Sequence, residues 1–240
     1  MSAWLRRLVE AFARDATGEM ERRRSLVLAP HPDDEVLGCG GTIAGKVSRG
    51  TPVSVAYLTD GRRGAEAPSA EVGRLREAEA VRAAAELGLT PDRLTFFRFE
   101  DGRLADHIED ASAGVRRLVD ALQVDDLFVP YRREYHADHV AAWRIGSACR
   151  RPGMGLFEYP IWYGPWLWSR LRGRARIAAI SHLAEVRRAV KVCIQPYVEI
   201  KRRALAAHQS QVHGFEAQGP WGTRFLGSMV GRYEVFFACP

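Results

Sequence analysis

Two short stretches of this 240-residue chain concentrate the side chains that could do chemistry. The first is Pro-His-Pro-Asp-Asp-Glu at residues 30–35, directly after an apolar run, and the second is His-Ala-Asp-His at residues 136–139. Three adjacent carboxylates repel one another and are costly to bury without a cation. Because histidine and aspartate are good zinc ligands, the two stretches together predict a metal site.

Each stretch alone is also compatible with an ordinary structural role. The carboxylates of residues 33–35 suit the first turn of a helix, where they complement the helix dipole. His136 and His139, taken singly, are compatible with hydrogen-bonded histidines of a surface or a core. The metal interpretation therefore depends on the two stretches meeting in space.

Two histidines and one aspartate form a sufficient zinc shell when the remaining coordination is left for water and substrate. We predict that His31, Asp34 and His139 are the ligands. A zinc-bound water can ionise near neutral pH. Asp33, the neighbour of a ligand, would take its proton as general base.

A further pair of side chains in the second stretch completes the predicted chemistry. His136, oriented by Asp138, would donate a proton to a leaving amine or stabilise an oxyanion. These residue types predict metal-assisted hydrolysis of an amide or a related acyl group.

The elements that must position these residues alternate between strand and helix along the chain. The predicted strands are Ser25–Ala29, Val53–Thr59, Leu94–Phe99, Asp126–Val129, Leu156–Pro160 and Tyr233–Cys239. This alternation predicts an α/β fold with a mainly parallel sheet flanked by helices, in one domain spanning residues 1–240. Right-handed crossovers would bring the polar strand ends to one edge of the sheet, including Asp60 and Asp101.

Helical patterns fill the connections between these strands. A glycine-rich turn at residues 38–41 precedes the first of them, and the predicted helices are Thr42–Arg49, Glu71–Leu87, Val115–Leu122, Val140–Ala148, His182–Lys191 and Tyr197–Gln211. Residues 1–24 predict an N-terminal amphipathic helix, for which packing on the domain and peripheral contact with a membrane both remain open.

Composition limits the classes of partner. The net charge of +6 permits an anionic partner, but no long block of basic residues is present, so we expect no nucleic-acid binding. The four cysteines are far apart, which favours a reduced, cytoplasmic protein. We expect no transmembrane helix, because no apolar run is long enough. Composition does not address the oligomeric state.

The sequence resembles the PIG-L/LmbE family of zinc-dependent sugar de-N-acetylases. The resemblance rests on the two stretches above and on the Gly-Cys-Gly-Gly that follows the first, and it covers about residues 25–212. It extends to Thr59-Asp60-Gly61, to Arg76-Glu77-Ala78-Glu79, to Asp101-Gly102 and to His208-Gln209-Ser210-Gln211.

This resemblance implies a Rossmann-like fold, a zinc ion on His31, Asp34 and His139, and Asp33 as general base. Zinc is the expected cofactor, and another divalent metal is compatible with the same ligands. It implies His136 as the group that acts on the oxyanion or the leaving amine. Arg76 and Asp101 fall where the family holds the sugar. Tyr135 directly precedes His136, so its spacing departs from the family's pattern, and Ala137 stands where proline is frequent.

The function implied is removal of an N-acetyl or other N-acyl group from an amino sugar, such as an N-acetylglucosamine glycoconjugate or a biosynthetic intermediate. A small-molecule, anionic or lipid-linked substrate is compatible with the residues. The alternatives are an amidase of a thiol conjugate and a non-catalytic carbohydrate-binding protein on the same fold. Residues 162–176 interleave tryptophans with arginines, and a lid, a membrane contact and an oligomer interface are alternative roles for them.

Overall fold

The computed structural model describes residues 9–64, 67–162 and 187–240. Its sheet contains the strands β1 Arg14–Asp15, β2 Ser25–Ala29, β3 Val53–Thr59, β4 Leu94–Phe99, β5 Asp126–Pro130, β6 Gly155–Tyr159, β7 Ala189–Cys193 and β8 Tyr233–Ala238. The strand order is β1-β7-β8-β6-β5-β2-β3-β4. Among these described strands, only β8 runs antiparallel to its neighbours, β6 and β7, and every other pair of neighbours is parallel. The predicted α/β fold with a mainly parallel sheet is confirmed.

The helices of the described residues are α1 Thr17–Met20, α2 Asp34–Ser48, α3 Ala70–Glu86, α4 Ile108–Ala121, α5 Ala137–Cys149, α6 Val198–Ala207, α7 Gln209–Glu216 and α8 Pro220–Met229. Short 3₁₀ turns lie at Arg62–Gly64, Pro91–Arg93, Leu104–His107 and Gln195–Tyr197. None of the described helices is both long and apolar enough to cross a membrane.

Alternation along the central strands distributes their side chains to both faces of the sheet. On one face, Val27 and Val55 pack with α2, α3 and α6, and on the other face Leu26 and Leu28 pack with α4 and α5. Both faces are therefore covered by helices, which explains why β2, β3 and β5 are buried throughout.

Helix α2 begins earlier than the sequence predicts. The glycine-rich residues 38–41, expected to form a turn, lie inside this helix. A Cβ atom at Gly38 would overlap the ring of Tyr159, and one at Gly41 would overlap Ile194. Glycine is used here for close packing of a helix on the sheet, and the local turn preference is overridden.

The C-terminal part of the chain departs most from the predicted pattern. Residues 189–193, in part expected to be helical, form strand β7. The predicted helix Tyr197–Gln211 is divided at His208 into α6 and α7, and helix α8 follows in the stretch without a prediction. These segments close one face of the sheet and one wall of the site described below.

The described part of the N-terminal segment is not one continuous helix. Residues 9–12 are helical, Arg14–Asp15 form β1 and Thr17–Met20 form α1. Val9 is buried against Tyr131 and Phe237, so this part of the segment packs on the domain. Residues 1–8 and residues 163–176, on which the remaining predictions for both segments fall, lie outside the described residues.

Candidate metal and catalytic site

The two reactive stretches leave the sheet at neighbouring positions. Residues 30–35 follow β2 and residues 131–139 follow β5, and β2 and β5 pair in parallel. On its other side β2 pairs with β3, so the strand order reverses beside β2. Open α/β sheets bind ligands at the carboxyl ends of strands at such a reversal.

The three side chains predicted as metal ligands converge on one another. Oδ2 of Asp34 lies 3.1 Å from Nδ1 of His31 and 3.4 Å from Nε2 of His139. Asp34 and His139 are almost fully buried, at 3% and 1% exposure. One carboxylate placed between two imidazoles matches the donor set that zinc prefers.

The far side of the His31 ring is held by two other carboxylates. Its Nε2 lies 3.2 Å from Oδ2 of Asp138 and 3.2 Å from Oδ1 of Asp101. Asp138 also accepts the backbone N–H groups of Gly102 at 2.6 Å and Leu104 at 3.1 Å. Its carboxylate therefore orients His31, and the predicted contact of Asp138 with His136 is made by the backbone N–H of Asp138, which donates to Nδ1 of His136.

Two overlapping sets of side chains have donor atoms within 4.8 Å of one another, namely His31, His136, His139 and His31, Asp101, Asp138. Distance alone allows a metal on either set. All three carboxylates accept backbone N–H groups, that of Asp34 from His31 at 2.9 Å, but Asp34 also lies beside ring nitrogens of both His31 and His139. The second set is therefore better suited to fixing the His31 ring, a frequent arrangement behind a metal-binding histidine.

The charges within the cluster are strongly coupled. Burial lowers the pKa of His139 to about 4. Burial opposes both charged forms at His31 and Asp34, but hydrogen bonds with carboxylates raise the pKa of His31 well above its usual range, and His139 and His31 together lower the pKa of Asp34. The cluster therefore keeps the anionic oxygen of Asp34 beside the neutral imidazole of His139, and His31 would release its proton when a cation binds.

Asp33 stands beside this cluster in an unusual backbone conformation, with φ 129° and ψ −28°. Non-glycine residues adopt such a positive φ only when the surroundings enforce it. Its carboxylate lines the cavity and accepts no hydrogen bond from the residues that the structure describes. Burial and the neighbouring charge of Asp34 raise the pKa of Asp33 to about 7.

His136 occupies the N-cap position of α5. Its Nδ1 accepts the backbone N–H of Asp138 at 3.3 Å, and its ring makes an edge-to-face contact with His31 at 4.7 Å between centroids. Burial, and after it the charge of His31, lowers the pKa of His136. An imidazole that accepts at Nδ1 carries its proton on Nε2, so His136 can act as a hydrogen-bond donor.

Comparison with known proteins shows the family of this chain. Residues 26–149 match the PIG-L family, described as GlcNAc-PI de-N-acetylase, and they make up more than half of the chain. The chain belongs to the PIG-L family. It is 28% identical over 197 residues to the 1D-myo-inositol 2-acetamido-2-deoxy-alpha-D-glucopyranoside deacetylase of Mycolicibacterium vanbaalenii. That match covers 70% of this chain and 66% of the relative, so the chain spans about two thirds of the relative's length.

Solved structures give the same fold. The conserved protein TT1542 from Thermus thermophilus superposes with a TM-score of 0.67 at 26% identity, over 91% of this chain and 95% of that chain. The N,N'-diacetylchitobiose deacetylase from Pyrococcus horikoshii superposes with a TM-score of 0.70 at 22% identity, over 98% of this chain and 90% of that chain. The predicted PIG-L resemblance and its Rossmann-like fold are confirmed.

The structure of this PIG-L chain assigns a place to Glu35, for which sequence reasoning indicates no chemical role. Oε2 of Glu35 accepts the backbone N–H of Asp33 at 3.0 Å, and Oε1 lies 3.0 Å from Nε2 of His208. Both side chains are fully buried. Burial opposes the charged form of His208, yet Glu35 raises its pKa. This pair supports the strained backbone of Asp33, and its only signal in the sequence is the His-Gln-Ser-Gln stretch on which part of the predicted resemblance rests.

The two residues expected to hold the sugar both line the cavity, whose volume is about 550 Å³. Arg76 is 6% exposed and donates from Nη1 to the carbonyl oxygen of Gly61, while its Nε has no partner among the described residues. Asp101 already contacts His31 and the backbone N–H of Arg63. Arg76 therefore has hydrogen-bonding capacity left for a ligand, and Asp101 has less.

Proposed function

We propose that this protein is a metal-dependent deacetylase that removes an N-acetyl or related N-acyl group from an amino sugar. The proposed substrate is an N-acetylglucosamine glycoconjugate. The observation that carries the proposal is the convergence of His31, Asp34 and His139 beside Asp33, a carboxylate without a protein partner among the described residues. Membership of the PIG-L family and the deacetylase names of its relatives support the choice of an amino-sugar amide.

His31, Asp34 and His139 would hold the metal, with zinc as the expected ion and another divalent metal compatible with the same donors. A cation bound there lowers the pKa of water and polarises the acyl oxygen. Asp101 and Asp138 keep the imidazole of His31 in one orientation by accepting at its Nε2.

Asp33 acts as the general base. It removes a proton from the attacking water and returns that proton to the nitrogen of the leaving amine, so the C–N bond breaks as a neutral amine departs. The absence of a competing hydrogen bond from the described residues leaves both carboxylate oxygens for this transfer. Glu35 fixes the backbone from which Asp33 projects.

His136 donates from Nε2 to the oxyanion that develops on the acyl carbon. The proposal depends on its hydrogen bond with the backbone N–H of Asp138, which occupies Nδ1 and leaves the proton on the other nitrogen. Arg76 donates to the hydroxyl groups of the sugar from the wall of the cavity. The side chain of Tyr135 is 54% exposed, and no step is assigned to it.

The test is the release of free primary amine from a panel of N-acetylated sugars, their glycosides and N-acylated thiol conjugates. We expect turnover on amino-sugar amides, its loss after removal of metal by a chelator, and its recovery with added zinc. Turnover confined to the thiol conjugates would contradict the choice of substrate. Undiminished turnover in a verified metal-free sample would contradict the proposed metal dependence. Absence of turnover on every compound, with each metal supplied, would contradict the proposal that the protein is an enzyme.

A further inference from the structure

The cavity has two unlike halves. One half carries the charged and titratable groups of the site together with Arg63 and Arg76. The other half is formed by Trp162, by the residues Ser210, Gln211, Gly214 and Phe215 of helix α7, and by Ala217 and Gln218 directly after that helix. None of these described side chains in the second half is charged, and the proposed chemistry uses none of them.

The aromatic part of this wall is a stack of rings that extends into the core. Trp162 lies parallel to Phe225, with an interplanar angle of 6° and 4.7 Å between centroids, and parallel to Trp221, with 3° and 6.4 Å. Phe215 packs on Phe225 at 5.0 Å. Phe225 is buried, so the two rings that line the cavity are supported from behind and present a preformed apolar surface.

The floor of this groove is open. A Cβ atom at Gly214 would meet no heavy atom of the described residues within 4 Å, and Ala217, one turn further on, carries only a methyl group. Larger side chains at positions 214 and 217 would fill the part of the cavity that these residues line. The groove therefore has both an apolar wall and room along it.

The wall is also fixed relative to the catalytic residues. Glu134 lies in the loop that carries His136, and its carboxylate accepts the backbone N–H groups of Ile161 at 2.8 Å and Trp162 at 2.9 Å. The side chain of Glu134 is 6% exposed. One buried carboxylate thus joins the loop after β5 to the start of the wall after β6, which places the aromatic surface at a set position beside the site.

We propose that this groove binds an apolar group, an alkyl chain or an aromatic ring, attached to the amino sugar, so that the preferred substrates are hydrophobic glycosides. This inference rests on the proposed deacetylase function and names its substrate class. The rings of Trp162 and Phe215 gain affinity from apolar area that a ligand removes from water. The polar neighbours Ser210 and Gln211 already bond to Glu79 and to the carbonyl oxygen of Pro32.

The test compares kcat/KM for the phenyl and hexyl glycosides of N-acetylglucosamine with kcat/KM for the methyl glycoside. We expect the wild-type protein to favour the larger aglycones about 10- to 200-fold, the range that an added apolar group reaches in a hydrophobic pocket. Gly214→Leu fills the groove and should abolish this preference while retaining activity on the methyl glycoside. Gly227→Leu, at an exposed position of α8 where a Cβ also meets no atom within 4 Å in the described part of the chain, is the matched control and should keep the preference.

A wild-type protein without the preference, or a Gly214→Leu variant that loses activity equally on all three glycosides, would overturn the inference. A calorimetric titration with hexyl β-glucoside, which has no acetamido group, separates this result from failure of the deacetylase proposal. Binding that weakens at least tenfold in Gly214→Leu and persists in Gly227→Leu supports the groove even when no amine is released from any substrate. Absence of binding, or equal affinity in the two variants, overturns it.

Discussion

Replacement of Glu35 by methionine tests how the fold prepares Asp33 for catalysis. Methionine keeps most of the volume of the side chain and removes both carboxylate oxygens. The backbone N–H of Asp33 then loses its acceptor, and His208 is left buried without its partner. The φ of 129° at Asp33 is unfavourable for a non-glycine residue, so we expect this backbone to relax once that hydrogen bond is gone.

The size of the effect follows from these contacts. Removing one partner of a buried ion pair costs about 3–5 kcal/mol of stability, and His208 limits the loss by releasing its proton. A strained backbone conformation stores about 1–3 kcal/mol. When the backbone of Asp33 relaxes in the variant, about that free energy is needed to return the carboxylate to its catalytic position. The value of kcat then falls about 10- to 100-fold, since each tenfold in rate corresponds to about 1.4 kcal/mol.

The assay measures kcat and KM by amine release, together with metal content and urea denaturation. We expect Glu35→Met to lower kcat with little change in KM or bound metal, and Glu35→Gln, which keeps one oxygen for the N–H of Asp33, to recover part of the loss. Asp126→Asn is the control, because it breaks the pair of the buried Asp126 carboxylate with the partly exposed Arg23 at the opposite end of the strands. The reasoning is refuted if Glu35→Met turns over within twofold of wild type, or if Asp126→Asn lowers kcat equally.

Three further variants test separate parts of the structure. Asp33→Asn should retain the metal and lose about 10²- to 10⁴-fold in kcat, measured beside metal content, and near-wild-type turnover would assign the base elsewhere. Gly38→Ala should destabilise the fold by about 1–3 kcal/mol through overlap with Tyr159, whereas Gly18→Ala, with nothing within 4 Å of the added carbon, should not; equal melting temperatures would contradict this packing. Burial raises the pKa of Glu134 from 4.5 to about 8, so the folded state binds the extra proton between these values and stability falls as pH rises through them. Glu134→Gln should remove about 1–4 kcal/mol of that pH dependence in urea denaturation between pH 5 and pH 8, and identical slopes in both proteins would show that Glu134 does not cause it.

The strands of the central sheet could be predicted from the sequence because their signal is local. Val53–Thr59 and Leu94–Phe99 have the bounds that their apolar, β-branched and aromatic residues predict, and so does Ser25–Ala29. The alternation of strands and helices fixed the parallel arrangement, and with it the common edge at which the polar loops meet. The approach of His31, Asp34 and His139 follows from that arrangement.

Strand β7 was not predicted, because tertiary contacts decide it. Residues 189–193 pair with β8, and the apolar residues of such a short segment are equally compatible with a helix. The helical conformation of residues 38–41 is likewise set by contact with Tyr159 and Ile194. In each case packing outweighs a weak local preference.

By itself the sequence determined the types of side chain available for chemistry and the order in which strands deliver them to one edge. Only the tertiary structure decided which side chains contact one another and which role each of them has. It directs Asp138 to His31 and joins Glu35 to His208, residues far apart in the chain whose contact depends on where α2 and α7 pack. Hydrogen bonds and desolvation act over a few ångströms in space, so partners and pKa values become fixed only when the folded chain brings distant segments together.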